Sequence, residues 1–363
     1  MSKTINLLKK ILRRGLFWAF LRFLYEVKKN FNYLYFLNFF KFKHTKKNYF
    51  YAVYDLSYNC RSYNFLPFLL RVDQYCKDNN YNFFSVVIID DNKNEILKDK
   101  NFENGYGKEK LRLRNYYLLP QILSLFENCN EYYFVQKKNL KKILAAENIF
   151  HSDFFFNLKS NHSEYEFERS IKNGYSPKSF LESDYFKEIV KKWADIHASN
   201  KRIITITIRN SVYDSMRNTN IKEFINFAQK IDTKKYYVIF IPDTENLLND
   251  NSFDNRLLRN EIGFAASFCL SLRYSLYKIA YTNIMVPNGP NTLVMYNDIP
   301  YIWFNKNLFG SLALGENKIP FYMDNSLSKQ VHWSKKNQKI VYVEQTTENI
   351  LEVFEEYSKN YGK

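Results

Sequence analysis

The sequence predicts an α/β protein with two successive doubly wound units, because strand-like and helix-like segments alternate twice along its 363 residues. The strand-like segments are continuous runs of aliphatic and aromatic residues, such as FFSVVIIDD at 83–91. Runs of this kind are typical of parallel strands that are buried on both faces. Helical spacing of apolar residues fills most of the intervals between them. A less regular stretch at 137–180 separates the two series.

Each series supplies its own sheet. In the first, strands are predicted at 47–55, 83–91 and 131–136, with helices at 61–79 and 110–126 between them. The second is predicted to have strands at 202–208, 236–242, 283–286, 301–304 and 339–343, and helices at 183–199, 219–232, 271–281 and 346–360. Thr346 is the expected N-cap of the last helix. We therefore expect an arm at 1–46, a first domain at 47–170, a second at 171–345 and a closing helix at 346–363, with the two domains facing across a cleft.

The net charge of +16 is concentrated at the N-terminus. Residues 1–50 carry twelve Lys or Arg against Glu26 alone, while the remaining residues carry 41 basic and 36 acidic groups. A nucleic-acid groove would place basic residues through the folded body, so nucleic-acid binding is the least favoured class. Apolar residues recur at helical spacing from Ile5 to Phe23, in stretches too short to span a bilayer.

Two interpretations of the basic arm remain open. Residues 1–30 can attach the protein peripherally to the anionic cytoplasmic face of the inner membrane, or the arm can pack as a helix on its own domain. The body of the chain is expected in the cytoplasm. Its four cysteines and five histidines form no group at ligand spacing, so neither disulfides, nor a zinc site, nor any cofactor is expected.

The stretch NIMVPNGPNTLVMYN at 283–297 predicts a strand, a tight turn and a helix. Gly289 would allow close approach of a ligand, and Pro290 suits the first turn of a helix. We expect free backbone amides at Asn291, Thr292 and Leu293 to face an anion such as a diphosphate. The alternative is an ordinary strand-to-helix turn whose Asn and Gly residues serve only its shape.

Two further loops of the second series carry polar side chains. Arg209 and Arg217 follow a buried strand, and guanidinium groups suit bidentate contact with phosphate. The alternative is that they pair with Asp214 and only stiffen the loop. Asp243 and Glu245 follow the next strand, where they can bind a ribose or sugar hydroxyl or cap a helix.

The first series ends its first strand at Asp55, with Ser57 and Arg61 close behind. A carboxylate at the carboxyl end of a strand can serve as a general base, and the other two can lie on the acceptor side. The alternatives for Asp55 are a cap on the next turn or a pair with Arg61. Asp90 and Asp91 compete with Asp55 for the role of base, although a DD pair followed by NKN is more typical of a solvated turn. They are adjacent instead of spaced as a DxD metal motif, so no metal is expected.

Together these loops resemble the glycosyltransferases of the GT-B fold, which has two Rossmann-like domains. The segment SLRYSLYKIAYTNIMVPNGPNTLVMYNDIPYIWF is similar to the donor-side segment of heptosyltransferase-like and fucosyltransferase-like enzymes. VYDLSYNCRSYNFLPFL also looks like a set of uncharacterised bacterial proteins from surface-polysaccharide gene neighbourhoods. The resemblance is clearest from about 203 to 304.

The resemblance implies a metal-independent transfer of sugar from a nucleotide-sugar to a surface glycan or lipid-linked acceptor. It assigns the donor phosphates to Arg209, Arg217 and the turn residues Asn288, Gly289 and Asn291, with Asp55 as the base. Two alternatives use the same fold: a sugar-nucleotide 2-epimerase, and a non-catalytic protein that binds a glycan or a partner.

Overall fold

The structure, a computed structural model, describes residues 17, 20, 23, 24, 27, 49–56, 59–90, 108–140, 180–211, 215–244, 260–305, 330–331 and 333–361. The chain divides into two compact units. The first comprises Met1–Asn59, Cys76–Asp99 and Asn130–Ser160; the second comprises Cys60–Tyr75, Lys100–Cys129 and Asn161–Lys363. The predicted domain boundary near residue 170 lies outside the described residues and stays a prediction.

The first series forms a three-stranded sheet, as predicted. Its strands are β1 (Tyr49–Asp55), β2 (Phe83–Ile89) and β3 (Cys129–Val135), in the order β1-β2-β3, and β1 is parallel to β2. The helices are α1 (Phe65–Asp78), α2 (Lys108–Tyr117) and α3 (Leu119–Leu123). The single helix predicted at 110–126 is wrong. Pro120 has no N–H to continue the ladder and its ring crowds the preceding turn, so a new helix begins at Leu119.

The second series forms a five-stranded sheet. Its strands are β4 (Arg202–Thr207), β5 (Tyr236–Ile241), β6 (Thr282–Met285), β7 (Tyr301–Phe304) and β8 (Gln338–Val341). They run in the order β5-β4-β6-β7-β8, and every paired neighbour is parallel. The prediction of an α/β fold with parallel sheets is therefore confirmed.

Among the described residues, six helices accompany this sheet. They are α4 (Asp184–His197), α5 (Ile221–Lys230), α6 (Glu261–Phe268), α7 (Leu270–Ile279), α8 (Asn291–Met295) and α9 (Thr347–Tyr361). Thr346 caps α9 as predicted, since its Oγ1 accepts a hydrogen bond from the Asn349 amide at 3.2 Å. Helix α6 was not predicted, because its short run of Gly, Ala and Ser gives little helical periodicity.

The core of the second unit lies between the sheet and the helices α5 and α9. Ile204, Ile206 and Ile284 are buried with the aromatic rings of Phe224 and Phe354. Full burial of each such side chain contributes about 1.5–3 kcal/mol to folding. This apolar layer holds the strands rigidly, so the loops at their carboxyl ends start from fixed positions.

One buried polar side chain links three elements of this unit. Asn283 of β6 accepts a hydrogen bond from the Thr205 hydroxyl of β4 at 2.6 Å. Its Nδ2 donates to the carbonyls of Tyr277 at 3.0 Å and Pro300 at 2.9 Å. Because its donors and acceptor all find partners, the side chain can be buried without a large desolvation cost.

Five apolar residues of the N-terminal arm are described, and all are helical and exposed. Phe17, Phe20, Phe23, Leu24 and Val27 expose between 44% and 75% of their surface. Their spacing of three or four residues places them along one side of a helix. Within the described part of the chain, no helix has both the length and the apolar content to cross a bilayer.

Candidate functional site

The strand order of the second sheet defines where a ligand can enter. The first and third strands of this unit, β4 and β6, are neighbours, and the chain builds the sheet outward from them in both directions. In doubly wound sheets, the crevice at the carboxyl end of such a switch point is the usual ligand site. The loop after β4 carries Arg209, and the turn after β6 carries Asn288 and Asn291. The sequence therefore places these predicted residues at one edge of one sheet.

The loop after β4 is closed on itself by Asn218. The Oδ1 atom of Asn218 accepts hydrogen bonds from Nη1 of Arg209 and from the Ser211 amide, the latter at 3.0 Å. Its Nδ2 donates to the Ser211 carbonyl at 2.9 Å. The Arg209 amide donates to the Thr219 hydroxyl at 2.8 Å, and the Thr219 amide donates to the Arg209 carbonyl at 2.9 Å. Arg209 is 4% exposed, so its guanidinium is held at a fixed place at the end of β4.

Arg217 is also in this loop, at the end of the 3₁₀ turn Ser215–Arg217, where it is half-buried. Asp214, the alternative partner for both arginines, lies outside the described residues. The loop is tied to the next strand as well, because the amide of Asn210 donates to Oδ2 of Asp243 at 3.4 Å. Asp243 thus lies beside the arginine loop, as its position after β5 predicts.

The prediction of free backbone amides in the turn after β6 is wrong. The Asn291 amide donates to Oδ1 of Asn288 at 3.2 Å, and the Leu293 amide donates to the Pro290 carbonyl at 3.0 Å. Thr292 binds the Gly289 carbonyl twice, through its amide at 3.1 Å and its hydroxyl at 2.8 Å. The turn satisfies its own donors because α8 is only one turn long, so its amides are taken up by the residues just before it.

The side chain of Asn291 remains available instead. Asn291 is 3% exposed, and neither its Oδ1 nor its Nδ2 has a hydrogen-bond partner among the described residues. The Nδ2 of Asn288 is also buried without such a partner. Buried amides are nearly always hydrogen-bonded in folded proteins, and each unmade bond costs about 1–3 kcal/mol. Two of them in one turn indicate a surface built to bind a polar group.

Gly289 is required here by a close contact with Tyr63. A methyl group on Gly289 would lie 2.2 Å from Cδ2 of Tyr63, and 2.8 and 2.9 Å from Cγ and Cε2 of the ring. The backbone φ of Gly289 lies outside the left-handed region, so the turn itself does not demand glycine. In the structure the Tyr63 ring fills the space that the glycine leaves.

The turn is braced from behind by the C-terminal part of the chain. Nε2 of Gln338 in β8 donates to the carbonyls of Asn297 at 2.6 Å and Ile299 at 2.9 Å, just after α8. The indole of Trp333 donates to the Met295 carbonyl at 2.8 Å and stacks on Tyr296. These bonds satisfy carbonyls at the end of α8, so the helix and the turn before it are fixed to the sheet.

A buried arginine of α7 lies close to the same tyrosine. Arg273 is 3% exposed, and its Nε donates to the Ala266 carbonyl of α6 at 2.8 Å. Nearby, the hydroxyls of Tyr277 and Thr207 are 2.7 Å apart, which ties α7 to the end of β4. Arg273 lowers the pKa of both Tyr63 and Tyr277, which places its charge within electrostatic reach of both rings.

The phenol of Tyr63 is neutral at physiological pH. Burial raises the pKa of Tyr63 to about 12, and the charges of Arg273 and Arg114 offset only part of that rise. Burial also raises the pKa of Tyr277, against the effects of Arg273 and the Thr207 hydroxyl. Tyr63 can therefore donate a hydrogen bond from its hydroxyl but does not supply negative charge to the site.

The remaining predicted residues fall in several places. Asp55, in the first unit, is fully buried at the carboxyl end of β1, and its carbonyl accepts from both nitrogens of Asn59, at 3.0 Å from the amide and 2.9 Å from Nδ2. Arg61 is buried in the second unit, where its Nε donates to Oδ1 of Asn115 at 3.0 Å. Ser57 and Glu245 lie outside the described residues. In the described ranges, no group of three or more His, Cys, Asp or Glu residues is arranged to hold a metal ion.

Solved glycosyltransferase structures are similar to this chain. The E. coli ADP-heptose LPS heptosyltransferase II matches with 10% identity and a TM-score of 0.48, over 86% of this chain and 100% of that one. A glycosyl transferase of family 9 from Veillonella parvula matches with 10% identity and a TM-score of 0.44, over 88% and 91%. The E. coli heptosyltransferase WaaC with ADP matches with 11% identity and a TM-score of 0.42, over 85% and 99%.

No family model matches the sequence, and no curated protein matches it. The similar solved structures are enzymes of the group that the sequence resembles. The activity and the substrate depend on this chain's own residues.

Tyr63, Arg273 and Tyr277 are absent from the residues that the sequence singles out. The missed signal is in LSLRYSLYKI, where apolar and aromatic residues surround a single arginine on every side of the helix. Seven of the eight residues from Leu270 to Tyr277 are buried, Ser271 being the exception. An arginine with apolar and aromatic residues at the positions three and four residues away on both sides lies on the buried face of such a helix. Tyr63 could not be found in this way, because its contact with Gly289 joins positions more than 200 residues apart.

Proposed function

We propose that the protein is a glycosyltransferase that moves a sugar from a nucleotide-sugar to a surface glycan or lipid-linked acceptor without a metal ion. The supporting observation is the polar surface at the β4–β6 switch point. There a fixed arginine loop follows the strand next to a turn in which the Asn291 side chain and the Asn288 Nδ2 atom are buried with unmet hydrogen-bonding capacity. A nucleoside diphosphate offers the negative oxygens and polar edges that such groups bind.

The residue roles follow from where the strands end. Arg209 and Arg217 would bind the phosphates, and Asn288 and Asn291 would orient the diphosphate through their side chains, beside Gly289 and Thr292. Asp243, which follows β5, would bind a ribose or sugar hydroxyl, together with Glu245. Arg61 and Ser57 would lie on the acceptor side. These assignments rest on the placement of the loops at strand ends.

The chemical step needs a base and a stabilised leaving group. Asp55 would take the proton from an acceptor hydroxyl as its oxygen forms a bond to the anomeric carbon. The bond from that carbon to the diphosphate breaks at the same time, and the nucleoside diphosphate leaves with the bonding electron pair. Guanidinium groups would stabilise the charge that develops on its oxygens. The buried carboxylate at the end of β1 supports Asp55 in this role.

The arm supports a location beside a membrane-bound acceptor. Five described apolar residues lie exposed along one side of a helix, and the arm carries most of the net positive charge. An anionic bilayer surface binds both features at once. Deleting residues 1–45 should abolish sedimentation of the protein with phosphatidylglycerol-containing vesicles. Equal sedimentation of the truncated and full chains would contradict the membrane role alone.

A thermal-shift screen against UDP-, GDP-, ADP- and CMP-sugars tests the donor site. A ligand at 100 times its dissociation constant adds about 2.7 kcal/mol of apparent stability. At least one nucleotide-sugar should raise the melting temperature, and Arg209→Ala and Arg217→Ala should remove the shift. Shifts retained in both variants would contradict their assignment to the phosphates. With the donor identified, Asp55→Asn should abolish transfer to acceptor while leaving the donor shift intact.

A further inference from the structure

Arg273 is a buried cation with no described anionic partner. Its Nε donates to the Ala266 carbonyl at 2.8 Å, and this is the one hydrogen bond that the Arg273 side chain makes among the described residues. No carboxylate of the described chain forms an ion pair with it. A guanidinium is always charged, and a buried charge is strongly unfavourable unless it is paired and hydrogen-bonded. The four N–H donors on the two Nη atoms of this 3%-exposed side chain therefore have no bond to a described residue and can bind a ligand.

The position of Arg273 connects it to the candidate site. Helix α7 is fixed at both ends of its buried face. At its start, Oε1 of Gln121 accepts from the Leu270 amide at 2.5 Å, and further along Tyr277 binds Thr207. Helix α6, which holds the Nε of Arg273, packs so closely on β5 that a methyl group on Gly263 would lie 2.0 Å from the Phe240 carbonyl oxygen. The guanidinium thus has little freedom to move towards solvent.

Tyr63 lies between this cation and the turn after β6. Its ring contacts Gly289, and its hydroxyl keeps its proton at neutral pH because burial raises its pKa to about 12. The turn on its other side carries the buried Asn291 side chain, without a hydrogen-bond partner among the described residues. A cation, a phenolic donor and a primary amide with unmet capacity therefore surround one region of the second unit.

We propose that Arg273 binds an oxyanion of the substrate, with the Tyr63 hydroxyl as a second donor. This inference rests on the proposed function and adds a residue to its site. A guanidinium binds two oxygens of one anionic group at once. Both a phosphate of the nucleotide and a carboxylate of an acidic sugar present such a pair of oxygens. Such binding also gives the buried charge a partner in the bound state, which explains why the helix retains it.

The experiment compares the full chain with Arg273→Met and Arg273→Lys. Arg202→Met is the matched control, since Arg202 is exposed at the opposite end of β4 with its guanidinium 5.0 Å from the Tyr281 ring. Dissociation constants are measured by calorimetry for UDP, UDP-glucose and UDP-glucuronate, or for the same three forms of whichever nucleotide the screen selects. Thermal shifts with inorganic pyrophosphate are measured in parallel.

We expect Arg273→Met to weaken binding by about 10- to 100-fold, Arg273→Lys by less, and Arg202→Met not at all. A loss for UDP itself identifies phosphate as the bound group, and a loss confined to UDP-glucuronate identifies the sugar carboxylate. A merely structural arginine would instead lower the melting temperature of the free protein and leave the dissociation constants unchanged. That result would overturn the proposal.

Failure of the proposed function gives a different pattern. If the unaltered protein binds no nucleotide-sugar, the donor assignment is wrong. The thermal shift with inorganic pyrophosphate then decides the role of Arg273. A pyrophosphate shift that Arg273→Met abolishes keeps the oxyanion site, while equal or absent shifts in both proteins overturn it. If the unaltered protein binds a nucleotide-sugar and Arg273→Met binds it equally well, the inference fails and the proposed function stands.

Discussion

Replacing Gly289 by alanine should force the Tyr63 ring away from the turn. The new methyl carbon would lie 2.2 Å from Cδ2 of the ring, whereas ordinary contacts begin near 3.4 Å. The ring or the turn must therefore move by more than 1 Å, which is overpacking of the kind that costs about 1–3 kcal/mol. Because the backbone of Gly289 is not in the left-handed region, the substitution adds no conformational strain of its own.

A double-mutant cycle isolates this contact. Urea unfolding of the unaltered protein, Gly289→Ala, Tyr63→Ala and the double variant gives four free energies of unfolding. In the Tyr63→Ala background the glycine substitution should cost close to nothing, because the atoms that it meets are gone. An equal cost in both backgrounds would refute the reasoning. It would show that the glycine serves the backbone of the turn and not the ring above it.

Two further predictions concern the packing of the second unit. Gly263→Ala should destabilise the protein by at least 1–3 kcal/mol in urea unfolding, because its methyl group would meet the rigid backbone oxygen of Phe240 at 2.0 Å; an unchanged midpoint would contradict the close packing of α6 on β5. The second concerns pH. Burial raises the pKa of Tyr357 to about 12 from the ordinary value of 10, so the folded state keeps a proton that the unfolded state releases. Stability from this group is full below pH 10 and is lost as the pH rises towards 12. Tyr357→Phe loses the hydrogen bond to the Asn337 carbonyl and should be the less stable protein at pH 8, but the difference should shrink by pH 11; a constant difference would contradict the shift.

Most of the secondary structure could be predicted from the sequence, because the pattern is strong where the sheet is buried. The runs that became β2, β4 and β5 consist mainly of aliphatic, aromatic and β-branched residues over six or seven positions, and their bounds agree with prediction to within two residues. Prediction was wrong where local signals are weak. Helix α6 has no apolar stripe, and the break before Pro120 interrupts an otherwise continuous helical pattern.

The candidate site could be predicted only in part. Its place followed from strands and loops, so Arg209, Asn288 and Asn291 were found at the carboxyl ends of neighbouring strands. What each group does there depends on partners that are distant in sequence or on hydrogen bonds inside a five-residue turn. Examples are the hydrogen-bonded amides after Gly289, the contact between Tyr63 and Gly289, and the burial of Arg273.

The hydrogen bonds of Asn283 have a consequence for alignment within the sheet. Strand β6 is short and all four of its residues are buried, so burial alone does not fix its register. A shift of one residue would leave the Asn283 amide opposite groups that cannot bond to it. The hydrogen bonds of this single polar side chain thus fix the register of β6. They thereby also fix the position at which Asn288 faces a ligand.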